Sequence, residues 1–78
     1  MPRYRLDLTL RHAEGALIRV LGVAERRGFR PLSVNGATNA GGERWRLHLA
    51  VEGDRPAEAL RVQLAKLYDC LAVEVSPC

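Results

Sequence analysis

Cysteine is nearly missing from this chain: Cys70 and Cys78 are its only two, with no CxxC and no second pair. That excludes a disulfide framework and predicts reduced thiols in a cytoplasmic protein. Histidine is equally scarce, with only His12 and His48. Neither has a serine or cysteine placed with it in a nucleophilic motif, so no catalytic residue is assigned. Two scattered histidines and two cysteines offer no ligand spacing, so no metal site is expected. Lysine is reduced to Lys66 among 12 basic residues, and the arginines are interleaved with acids for a net charge of +3. No basic block reads as a nucleic-acid tail. Long apolar runs are lacking too. Nothing approaches the ~20 residues of a membrane span, and the opening "MPRYRLDLTL" alternates instead of forming the core of a signal peptide.

What is present is periodicity. In "YRLDLTLR", Tyr4, Leu6, Leu8 and Leu10 share one face while Arg5, Asp7, Thr9 and Arg11 share the other, a half-buried strand. Leu17, Val20, Leu21 and Ala24 follow at helical spacing, and Gly28 suits the left-handed position after a helix end. "FRPLSVNGA" predicts an edge strand, because Pro31 removes a ladder donor. "TNAGGE" is a turn. "RWRLHLAVE" is a third strand with Trp45, Leu47, Leu49 and Val51 inward. A second helix starts near Asp54, an available cap, and carries Ala57, Leu60, Leu64 and Leu67 on its apolar stripe. "CLAVEVS" closes the chain as a strand with Leu71, Val73 and Val75 inward.

The order βαββαβ over residues 1–78 predicts one α+β domain of ferredoxin-like type: a four-stranded antiparallel sheet with two helices on one face. The expected spatial order is 4-1-3-2, with strands two and four at the edges. The other face of the sheet is charged, carrying Arg5, Asp7, Arg44, Arg46, His48 and Glu74. RNA-binding versions of this topology stack bases on aromatic residues of the open face. Here Tyr4 and Trp45 fall in the inward register, so nucleic acid is not the expected partner. By elimination the function is binding, of a small molecule or of another protein.

The stretch "EGALIRVLGVAERRGFRPLSV" supplies Gly15-Ala16-Leu17, Arg19-Val20, Gly22, Arg27-Gly28-Phe29 and Ser33. With Gln63-Leu64 and Lys66-Leu67 in the later half, it resembles an ACT domain, and more closely the small regulatory subunit of acetolactate synthase (acetohydroxyacid synthase). Its length is similar to the short isozyme II type, a lone ACT domain. The resemblance implies a non-catalytic activator in branched-chain amino-acid biosynthesis. It would bind the catalytic large subunit, where thiamine diphosphate, magnesium and FAD would reside; this chain itself would hold no cofactor.

The resemblance also implies an amino-acid pocket at the first loop and the start of the second strand, at a dimer interface. The matching residues are His12, Gly15, Ala16, Leu17 and Arg30. Valine-responsive relatives carry asparagine where this chain has His12 and Arg30, so valine feedback is expected to be weak or absent. Gly15 near a helix start lets a carboxylate or a neighbouring chain approach the backbone, and close packing between protomers, with no ligand present, is the plainer reading. The second strand, at Leu32, Ser33, Val34 and Asn35, is expected to pair with its own copy in a homodimer. Two other readings stay open: a free-standing ACT-like amino-acid sensor acting on another enzyme, and a nucleic-acid binder using the arginines of the sheet.

Overall fold

Alternation of leucine with polar or charged residues produces two long central strands, and short turns join the four strands and two helices. The computed structural model describes all 78 residues, Met1–Cys78. The elements are β1 (Arg3–Arg11), α1 (Ala16–Arg26), β2 (Arg30–Thr38), β3 (Arg44–Glu52), α2 (Ala57–Ala65) and β4 (Cys70–Pro77). The sheet order is β2-β3-β1-β4 and every pairing is antiparallel. This is the expected ferredoxin-like arrangement, with β2 and β4 at the edges.

β1 and β3 form the spine. Leu6 pairs with Leu49 and Leu8 with Leu47, so the leucines of both strands share the helix-covered face. They are joined in the core by Val51, by Ala16, Val20, Val23 and Ala24 of α1, and by Leu60 and Leu64 of α2. The buried stripe of α1 is therefore rotated from the expected one. Val23 and Ala16 are fully inside, while Leu17 and Leu21 are only partly buried along a flank.

Two bulges alter the edges. Between Thr9 and Leu10 the β1–β4 register shifts, so that Cys70 faces Leu10 and Leu71 becomes the extra residue. Leu71, expected inward, is 38% exposed. Leu32 is the corresponding extra residue in β2, between Pro31 and Ser33. A third correction concerns α2. It starts at Pro56 without a side-chain cap, so Asp54 does not take the capping role. On the exposed side of α2, Arg61 Nε donates to Glu58 Oε1 at 2.8 Å.

α1 ends as the glycine predicts. Gly28 has φ +88°, its N–H donates to Glu25 O at 3.1 Å, and Phe29 N–H donates to Ala24 O at 3.0 Å. That is a Schellman closure, and the ring of Phe29 is buried behind it.

Candidate functional site

The loop between β1 and α1 is held from three directions. His12 N–H donates to Glu43 O at 3.1 Å, and its Nδ1–H donates to Gly42 O at 2.9 Å. Both bonds tie the loop to the β2–β3 turn, so His12 does not cap the helix. Gly15 does occupy the N-cap, at φ +78° and ψ +4°, with no side chain bonded to the first turn. Across it lies Arg19, whose Nε donates to Asp69 Oδ2 at 2.6 Å and whose Nη2 donates to Glu14 O at 2.8 Å. The carboxylate of Asp69 is buried, and its backbone oxygen accepts Arg11 N–H at 2.7 Å. Arg19 and Asp69 thus strap the helix entrance to the end of the sheet.

The left-handed backbone gives Gly15 a local reason to be glycine. An alanine there would hold a left-handed conformation that costs an L-residue about 1–2 kcal/mol. The nearest atom to its Cβ would be Arg19 Nη1 at 2.8 Å, the movable end of a long side chain, so backbone strain is the dominant cost. Gly15→Ala is expected to lower unfolding stability by about 1–2 kcal/mol in urea denaturation. Gly15→Asn should lose less, because asparagine tolerates that region better. An equal stability for Gly15→Ala would refute the assignment.

Ala16 is 1% exposed and points into the core, while Leu17 is half-buried. Arg30 lies elsewhere. On β3, Arg44 pairs with Arg11 beside His12, while Glu52 pairs with Arg3 and Arg30. Eight residues of strand separate these ends, roughly 26 Å at the usual rise. Within one copy, His12 and Arg30 therefore do not meet.

Arg30 Nη2 donates to Glu52 Oε1 at 2.6 Å, and Arg3 Nε lies 3.4 Å from Oε2. The hydrogen bond and charge of Arg30, with Arg3 behind it, hold the Glu52 carboxyl below its ordinary 4.5. A depressed carboxyl contributes stability that is complete above its unfolded value and is lost as pH falls through the folded one. Wild type is therefore expected to exceed Glu52→Gln in stability at pH 7, with the gap closing progressively below about pH 4.5. Parallel urea titrations at pH 7 and pH 3 measure it. A gap that persists unchanged in acid would refute the linkage.

The edge of β2 is open. Leu32 is 42% and Val34 44% exposed, and Ile18 on α1 is 76% exposed. Arg19 turns one flank of α1 toward Asp69 and β4; Leu17 and Leu21 lie on the opposite flank, beside β2. Together they form an apolar margin along an unpaired strand. Ser33 and Asn35 face the other way, opposite Ala50 and His48.

The helix-free face holds a constellation that pattern reading lists but does not assemble. Register places Asp7 opposite His48, and the two side chains hydrogen bond through His48 Nδ1. Arg5 Nε donates to Asp7 Oδ1 at 3.1 Å. The bond from His48 and the charge of Arg5 hold the Asp7 carboxyl below its usual range. At the far end Arg11 stacks over the exposed Tyr68 ring, 4.9 Å from its centroid. Cys70 is free and half-buried, and burial pushes its thiol up; Cys78 is free and exposed. No three His, Cys, Asp or Glu side chains gather as a metal site. No helix is long and apolar enough to cross a membrane.

Comparison with known proteins agrees with this architecture. Among solved structures, the acetolactate synthase small subunit from Thermotoga maritima superposes with a TM-score of 0.78 at 23% identity, over 99% of this chain and 47% of that one. The ACT domain from GTP pyrophosphokinase of Chlorobium tepidum superposes at 0.78 with 14% identity, over 97% of this chain and all of the other. A formyltetrahydrofolate deformylase from Burkholderia mallei gives 0.79 and 16% over 99% of this chain, which spans 28% of the enzyme's length. These likenesses share the fold. No curated protein matches the sequence. The family model described as ACT domain matches residues 12–73, from the first loop into the last strand; the chain belongs to the ACT domain family.

Proposed function

We propose that this chain is a non-catalytic small subunit of acetolactate synthase that binds and activates the catalytic large subunit in the cytoplasm. ACT domains are regulatory units, and the run Gly15-Ala16-Leu17, Arg19-Val20, Gly22, Arg27-Gly28-Phe29, Ser33 is the observation that carries the finer reading. The small-subunit relative from Thermotoga maritima, alike over nearly the whole of this chain, supports it. Thiamine diphosphate, magnesium and FAD would belong to the large subunit. The chain acts as a homodimer, with β2 paired to its copy antiparallel about a two-fold axis near Val34. That pairing brings Arg30 of one copy to the His12–Gly15 end of the other, so the two parts of the ACT effector pocket meet only in the dimer.

Valine feedback is weak in this reading. The guanidinium of Arg30 is engaged by Glu52 and has no acceptor for an ammonium group. His12 has committed Nδ1 to Gly42. Mixing this chain with the acetolactate synthase large subunit of the same cell is expected to raise acetolactate formation from pyruvate, with little change on adding valine. A rise that valine reverses would overturn the feedback part and keep the activator. Without any rise or complex, the activator reading fails. The second reading is a free-standing amino-acid sensor for another enzyme, favoured by the equal fold likeness to the ACT domain of a GTP pyrophosphokinase. It predicts thermal stabilisation by an amino acid with no synthase present.

A further inference from the structure

The helix-free face of the sheet is not uniformly covered by its charged side chains. Two adjacent rows cross it: Arg5–Ala50–Ser33 and Asp7–His48–Asn35. Ala50 is the short residue in this neighbourhood, and a depression of about 340 Å³ opens over it. Arg5, Ser33, Asn35 and His48 form its polar lining, and Leu49, Ala50 and Cys78 complete the wall. That volume is at the small end of the roughly 300–1,000 Å³ of small-molecule sites.

The lining is oriented by what lies beside it on the same face. Asp7 receives Arg5 Nε at 3.1 Å and His48 Nδ1, so one carboxylate, outside the lining of the depression, anchors both side chains. A carboxylate bound to Nδ1 fixes the proton there and leaves Nε2 as the outward nitrogen. Arg5 uses Nε on Asp7 and its Nη2 lies 3.4 Å from His48 Nδ1, which leaves Nη1 for another acceptor. A guanidinium nitrogen left free in this way donates well to a planar or tetrahedral oxyanion, and the Ser33 hydroxyl and Asn35 amide add donors from the neighbouring strand.

We propose that this depression, formed by Arg5, His48, Ser33 and Asn35, binds a small oxyanion, a carboxylate or a phosphate. It lies on the face of the sheet opposite the helices, away from the β1–α1 loop, and so goes beyond the function proposed above. Pairing of β2 with its copy uses the backbone of the edge, while Ser33 and Asn35 project onto the open face, so both can occur together.

The test is an NMR titration of the intact chain with sodium phosphate and with sodium acetate, each against sodium chloride at equal ionic strength. Saturable shifts in the low-millimolar range are expected at Ser33, Asn35, Ala50 and the His48 ring. Whichever anion saturates at lower concentration identifies the source. Arg5→Gln should weaken binding at least 10-fold. Asn35→Ala, at an exposed edge position that leaves the Asp7 cluster intact, should weaken it about 3-fold with unchanged melting. Arg26→Gln, on α1, should change nothing. Shifts no different from those in chloride would overturn the site. So would shifts confined to the His12–Gly15 loop, an outcome that bears on the effector pocket instead. An Asn35→Ala chain that binds both anions as wild type does would also overturn it.

Discussion

Leu49→Ala is expected to cost about 2–5 kcal/mol of stability, the range for emptying a fully packed leucine site. Leu49 is 1% exposed at the centre of β3, facing Leu6 on one side and Val34 on the other. The cavity would open where both helices meet the sheet, and neighbours already at core density cannot collapse into it. Domains of this size sit near the low end of the usual 5–15 kcal/mol, so the loss is a large share of the total. At about 4–8 °C per kcal/mol, melting should fall by at least about 10 °C. Calorimetry of both proteins at one concentration decides it. A fall of only a degree or two would mean that the core is not centred on this strand.

Val34→Asp should act on assembly and spare the fold. Val34 is 44% exposed at an open edge of the single chain, so a carboxylate there can reach water, and the cost to folding should be small beside the effect on assembly. Under the proposed pairing it faces its own copy near the two-fold axis. Two like charges would then approach on the unpaired edge, a device by which natural sheets prevent association. With the apolar contact also lost in both copies, dissociation should rise by at least about 100-fold, or close to 3 kcal/mol. Sedimentation equilibrium at tens of micromolar should show dimer for wild type and monomer for the variant. Identical masses would refute pairing through β2. If the variant is monomeric yet activates the synthase fully, the dimer is not needed for that function.

Most of the topology is visible in the chain because strand and helix periods differ. Leu6, Leu8 and Leu10 alternate, as do Leu47, Leu49 and Val51, and a period of two commits a whole face to the core. Gly28 marks the end of α1 because its Schellman bonds demand a left-handed residue. The bulges are not visible. One extra residue in an alternating strand leaves the pattern on either side intact, so Leu71 reads as inward until Cys70 takes the place opposite Leu10. The candidate loop is only partly legible. Gly15 stands out by its position, but the Arg19–Asp69 strap joins residues 50 apart with no local pattern to connect them.

The order of elements, the leucine face, the edge character of β2 and the family motif are all legible in the chain, since each depends on residues near one another in it. Long-range pairing sets His12 and Arg30 at opposite ends of the sheet, brings Asp69 to Arg19, and joins Asp7 to both His48 and Arg5. These depend on register and on long-range closure. A shift of one residue in pairing would leave local propensities almost unchanged and rearrange every one of those contacts.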